Sequence, residues 1–321
     1  MMQILLIGIG AGAAGALLFA SVSSGSWLSI VLFYLAALPM MIAGIGWSHW
    51  AALIGALGGG LALGAVFSWM FFLAFLAAAG IPAWWLSYLT MLARPAGNGA
   101  QHAAVEWYPP GRLVLWAALL GALVVLAAIP NFGFSGEAFR GAMSESLSQL
   151  FRARDAAPDA PLVLPGVADP KRLIEFLVEA IPPAAALIAT LTSLFNLWLA
   201  GRIVKFSGRL KRPWPALADT RIPPTAAGGL IAAIVLSFAG GLVGIVAGVV
   251  SASLLMAFGL MGFAVMHTLT QGMQGRGFII GGVYGAVLVF GWPMLALCLL
   301  GLIDAIFDLR GRLARKRGRP T

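Results

Sequence analysis

The sequence predicts an all-α protein, a polytopic transmembrane helical bundle of eight to ten spans. Three observations carry this reading. Hydrophobic residues make up 61% of the 321 positions and charged residues only 10%, against roughly 45–50% and about 25% in soluble domains. The mean hydropathy is +0.96. No Asp, Glu, Lys or Arg occurs before Arg94, and 222–275 is a second long stretch without them. A helix needs about 20 apolar residues to cross the hydrocarbon core, so each stretch can hold several crossings. A soluble globular enzyme and a disordered chain are excluded. So is a disulfide scaffold, because Cys298 is the only cysteine.

Taken in order, the apolar runs 2–21, 26–46, 49–67, 69–92 and 112–130 make residues 1–130 an N-terminal transmembrane bundle of about five spans. The first run lacks the basic n-region of a signal peptide and is expected to remain as the first helix. Residues 131–175 are polar enough to be an extracytoplasmic segment. Within it Ser135 and Glu137 mark a helix start. Phe139, Met143, Leu147, Leu150 and Phe151 then recur at helical spacing, giving an amphipathic helix over 136–153. It lies on the outer membrane face or over the bundle, as a lid or a brace.

Pro158, Pro161 and Pro165 make 155–168 an extended linker, and Asp169-Pro170 caps the next helix. The runs 176–200, 226–243, 246–270, 277–290 and 292–307 build a C-terminal transmembrane bundle over 176–309. Pro182-Pro183 is expected to break the first of these helices. The last two runs flank Gly291-Trp292-Pro293 and read as two crossings or as a re-entrant hairpin. Residues 310–321 form a basic tail.

The formal charge is +9, and its distribution sets orientation. With the N-terminus inside, the inner loops and the tail carry fifteen of the twenty Lys and Arg residues, and 131–175 carries the other five. That is the positive-inside pattern of a multi-pass membrane protein with both termini cytoplasmic. The basic groups face lipid headgroups in this reading; nucleic acid is disfavoured because the charges sit between apolar runs. Trp27, Trp47, Trp50, Trp69, Trp107, Tyr108, Trp198 and Trp214 fall near span ends, where such rings favour the interface.

Several clusters invite a functional reading, each beside a plainer one. Gly8, Ala11, Gly12 and Gly15 form small-xxx-small pairs that either dock a partner subunit or pack inside the bundle. Glu175 and Glu179 share a face where the outer segment re-enters the membrane, and Thr190, Ser193 and Asn196 continue as a polar stripe. Together these line an outward-facing cavity for a solute. Alternatively Lys171 and Arg172 satisfy the acids, and the hydroxyls bond to their own helix. Glu106, Trp107, Tyr108 and Arg112 belong to an EWYPPGR loop that either meets a cytoplasmic partner or simply starts a helix well. Asp304 serves as a proton relay or a tail salt bridge, and Asp308 precedes Arg312 at ion-pair spacing. His49, His102 and His267 have no companions at metal-ligand spacing. No P-loop, HExxH or GxSxG motif is present, so the chain is read as a non-enzyme with no cofactor.

The GWSH turn (Gly46 to His49), the EWYPPGR loop, the segment Asn196 to Pro215 and the GLIDAIFDLR ending (Gly301 to Arg310) together resemble the YybS-like family of bacterial multispanning proteins, in its alphaproteobacterial form. The resemblance covers essentially the whole chain. That family is distantly similar to S components of energy-coupling-factor transporters. The resemblance implies a small solute bound from outside and a separate transmembrane coupling subunit with ATPases. It also implies docking through small residues of the first helix, here Gly8, Ala11, Gly12 and Gly15. S components are shorter, with six helices, and none of their ligand residues is matched here. The expected function is therefore solute binding or transport without an ATPase of its own. The alternative is a non-catalytic membrane scaffold or regulator that recruits cytoplasmic or envelope partners.

Overall fold

The computed structural model describes residues 1–96, 104–152 and 167–316. Most of the expected linker, with Pro158, Pro161 and Pro165, lies outside the described residues, as do His102, Arg317 and Arg319. Of the described residues, 82% are helical. In chain order the helices are α1 (Met2–Ala20), α2 (Trp27–Tyr34), α3 (Leu38–Gly46), α4 (His49–Val66), α5 (Trp69–Phe75) and α6 (Ile81–Met91). They continue with α7 (Pro110–Ala128), α8 (Gly136–Phe151), α9 (Pro170–Phe206), α10 (Pro224–Ser237) and α11 (Gly241–Leu269). Last come α12 (Arg276–Phe290), α13 (Pro293–Phe307) and α14 (Leu309–Lys316). Seven helical stretches among the described residues are long and apolar enough to cross a membrane, while α10, α12 and α13 are shorter.

The structure departs from the sequence reading where an apolar run conceals an interruption. The run 26–46 divides into α2 and α3, because Leu38 N bonds Leu35 O instead of the Tyr34 carbonyl that a continuous helix would use. The run 69–92 carries a π-helical turn at Leu76–Gly80 between α5 and α6. Two short strands were not anticipated: β1 (Ala93–Ala96) and β2 (Ala104–Trp107) pair antiparallel beneath α6 and α7. Conversely, Pro182 and Pro183 do not break α9, which runs unbroken for 37 residues. The prolines remove two N–H donors, but Ile174 and Val178 pack on Leu147 of α8 before them and Ala186 packs with Ala122 of α7 and Val249 of α11 after them, which holds the helical path. At 1.5 Å per residue α9 is about 55 Å long, well beyond a hydrocarbon core of about 30 Å.

The helix ends follow local chemistry. The Ser26 and Ser48 side chains accept from Ser29 N and Trp50 N to start α2 and α4. Ser135 and Asp169 do the same for α8 and α9, as the sequence indicated. On α8 Phe139 and Leu147 are buried, but Leu150 of the expected stripe points outward, 75% exposed. The helix packs on α9 and α11.

Two apolar cores do not coincide with the expected halves 1–130 and 176–309. One joins α1, α3, α4 and α6 to Ala117 of α7 and to Leu197, Ala200 and Val204 of α9. The other joins Ala118 of α7 to α10, α11 and α13. Because α9 is built into the first core, the boundary at 176 is not a packing boundary.

α1 and α4 pack backbone against backbone through glycine. A Cβ at Gly12 would run into the backbone of Gly55, one at Gly59 into Gly12 O, and one at Gly8 into Ala51 O. Backbones approach this closely only where neither side carries a side chain, and in lipid such contact is a main source of association. Gly12→Leu is therefore expected to destabilise the fold by at least the about 1–3 kcal/mol of an overpacked core. Gly10→Leu, which meets open space, should have no effect. Thermal unfolding of both variants in detergent checks this; equal midpoints would remove the glycine contact from the account.

Candidate functional site

The interruptions described above create the first cavity. It has a volume of about 380 Å³ and is bounded by Phe19, Tyr34, Ala79, Val124, Ser193 and Asn196, among others. The π-helical turn supplies Ala78 and Ala79 to its wall. Asn196 is fully buried. Its Nδ2 donates to Tyr34 O at 2.8 Å and to Thr192 O at 2.9 Å. Tyr34 O is the carbonyl released where α2 stops, so the asparagine replaces the lost backbone donor. Both neighbours are carbonyls, which fixes the amide orientation and leaves Oδ1 buried without a hydrogen-bond partner among the described residues. A buried acceptor left unpaired costs about 1–3 kcal/mol.

The remaining expected site residues separate. Ser193 borders the cavity with Asn196. Thr190 does not: its hydroxyl donates to Ala186 O at 2.8 Å, and it packs against Gly121 of α7. Glu175 and Glu179 are exposed and do not line the cavity. Glu179 accepts from Arg140 Nε at 2.6 Å, so α8 supplies its partner rather than Lys171 or Arg172. Of the five residues read from spacing as lining one cavity, Ser193 and Asn196 border this one, because one helix carries the five to different neighbours.

The glycine face of α1 is likewise not free for a partner. Gly8 and Gly12 lie on α4, and Gly15 lies against Ala36 O; Ala11 is half-buried beside the same core. The EWYPPGR residues serve the β-hairpin. Arg94 Nε donates to Glu106 at 2.8 Å across the strand pair, and this hydrogen bond, with the charge behind it, holds the Glu106 carboxyl below its usual range. Trp107 is half-buried, Tyr108 OH accepts from Trp116 Nε1 at 3.1 Å, and Arg112 is exposed.

A second constellation was foreseen only in part: the sequence offered a tail salt bridge for Asp304 but singled out neither Arg310 as its partner nor Arg212. The loop 207–223 between α9 and α10 is fastened down at several points. Arg209 lies 4.4 Å over the Trp47 ring. The Trp214 ring rests against Gly201, where any Cβ would overlap it. Arg212 and Arg310 are buried beneath the loop at 5% and 3% exposure. Arg212 donates to Thr90 O and Tyr108 O, each at 2.9 Å. Arg310 donates to Ala218 O at 2.7 Å and Thr220 O at 2.8 Å, and pairs with buried Asp304 at 2.8 Å. Asp304 is therefore the partner of a structural arginine. Asp308 pairs with Arg221 at 2.9 Å, not with Arg312. In the sequence these residues are part of an ordinary basic loop and tail, and no spacing distinguishes Arg212 or Arg310 from their exposed neighbours.

Fold and composition define a class, a helical membrane-protein bundle with internal cavities and a basic end. Compared with protein-family models, curated proteins and solved structures, the chain matches none. Any narrower assignment rests on its own residues. Among the described residues, no three His, Cys, Asp or Glu side chains gather in a way that could hold a metal.

The two acid–arginine pairs differ in a measurable way. Asp304→Asn leaves Arg310 buried without its counter-charge and should cost about 3–5 kcal/mol. Asp308→Asn breaks an exposed pair worth about 1 kcal/mol or less. Denaturation of both variants in the same detergent compares them, and equal losses would contradict the burial account.

Proposed function

We propose that the chain is a multi-pass inner-membrane protein of the YybS-like type that binds a small solute within the bundle and has no ATPase of its own. The observation that carries this reading is the cavity beside α9, a largely apolar wall bordered by Ser193 and by Asn196, whose Oδ1 is buried and unpartnered among the described residues. A ligand donor there would satisfy the acceptor, and pockets of this size, mostly apolar with a few placed polar groups, are the usual form of small-molecule sites. The bound solute is thus largely apolar and carries at least one N–H or O–H.

In this reading α10 and the α12–α13 hairpin add to the seven long stretches, giving eight to ten crossings. The end that carries Arg202, Lys205, Arg209, Lys211 and the α14 arginines faces the cytoplasm, following the positive-inside bias. Coupling to a transmembrane subunit with ATPases would have to use a surface other than the Gly8–Gly15 face, which α4 and Ala36 cover.

Purification from native membranes in mild detergent, with mass spectrometry of co-purifying small molecules, tests the site. A solute bound by the wild type should be lost or at least tenfold depleted in Asn196→Leu. It should also be lost in Ala185→Phe, which fills the cavity without touching the Tyr34 contact. A solute equally abundant in both variants, or absent from the wild type, would sink the reading.

A further inference from the structure

At the basic end of the bundle, Arg212 is a buried cation with no acid partner among the described residues. Arg212 is 5% exposed, and both groups it bonds are neutral carbonyls. No carboxylate pairs with it among the described residues. Asp219, the acid nearest in sequence, is exposed. Arg310 provides an internal comparison: equally buried and equally bonded to two loop carbonyls, it has Asp304 as counter-charge. A buried cation without a partner is costly. Arginine does not relieve the cost by losing its proton, even though burial pushes its pKa down. Among the described residues, two of its five N–H donors are used.

Arg212 borders a cavity of about 410 Å³ that lies on a different face of α9 from the Asn196 cavity. Most of its wall is hydrocarbon, from Leu113 and Val114 on α7, Leu194 on α9 and Leu260 on α11. Leu191, Phe195 and Trp198 belong to the same wall, yet they are 44%, 48% and 49% exposed on the outside of the bundle. The cavity therefore has an apolar lip continuous with the lipid-facing surface and a cation inside, with Thr90, Trp214 and Thr220 also on its border. A wholly water-soluble anion would gain nothing from those walls. An amphiphile would use both.

We propose that this cavity binds a net-anionic phospholipid, its phosphate neutralising Arg212 and the start of an acyl chain lying along Leu113, Leu191 and Leu194. The site is independent of the Asn196 cavity, and either can fail without the other.

The test uses full-length protein in an uncharged detergent and native mass spectrometry, with three probes: dioctanoyl phosphatidic acid, dioctanoyl phosphatidylcholine and inorganic phosphate. Phosphatidic acid should bind saturably and at least tenfold more tightly than either control. Arg212→Gln should weaken it about tenfold or more, the scale of a charge-assisted contact, and Arg212→Lys should fall between. Leu191→Trp, which occupies the apolar lip and leaves the carbonyl bonds of Arg212 intact, should also weaken it. Unchanged affinity in Arg212→Gln overturns the proposal, as does phosphatidylcholine binding as tightly as phosphatidic acid. Inorganic phosphate binding as tightly would show a site for free anion instead. If Arg212→Gln does not fold, Leu191→Trp decides alone, and unchanged phosphatidic acid affinity there overturns the proposal.

Discussion

A backbone carbonyl freed from its helix and buried away from water must be answered by something in the protein. This architecture follows from how that demand is met. Where α2 stops short, Asn196 reaches across from α9 to Tyr34 O. Where α6 ends and β2 gives way to α7, Arg212 takes Thr90 O and Tyr108 O. Where the loop turns toward α10, Arg310 takes Ala218 O and Thr220 O. Each side chain comes from an element remote in sequence, so the same bonds that satisfy the backbone also fix how the helices sit.

Those bonds have a by-product. A side chain that meets two carbonyls with its donors presents whatever it has left to the space beside it. For Asn196 the remainder is a lone acceptor, and for Arg212 it is a positive charge. Both residues border cavities, Asn196 beside the break between α2 and α3 and the π-helical turn, Arg212 beneath the lipid-facing side of α9. Polar chemistry in this bundle thus sits where the regular helix fails, and α9 carries the two cavities on two of its faces.

Much of the fold was legible because hydropathy reports solvation directly: the helix-rich bundle, the caps at Ser135 and Asp169, and the α12–α13 hairpin follow from composition and local patterns. The division of 26–46 and the π-helical turn in 69–92 were not, since an apolar residue reads alike in a continuous and an interrupted helix. Pro182-Pro183 misled in the opposite sense, because local strain yielded to packing on both flanks. The candidate site was half legible. Ser193 and Asn196 do share a cavity, while Glu175 and Glu179 share only a helix face with each other, and which neighbour a face meets is a tertiary fact. Arg212 was hidden by its company: amid a basic loop, burial rather than identity sets it apart.

The clasp between Arg310 and the loop joins positions 92 and 90 residues apart, at Ala218 and Thr220. During synthesis the chain emerges in order, so α9 and that loop leave the ribosome long before their fastening exists. The α1–α4 contact needs only early residues, whereas the loop beneath α10 must wait, its carbonyls on water, until the segment beyond α13 arrives. Assembly of the basic end is therefore a late event, and a chain stalled before Arg310 would hold an inserted bundle with that end still open.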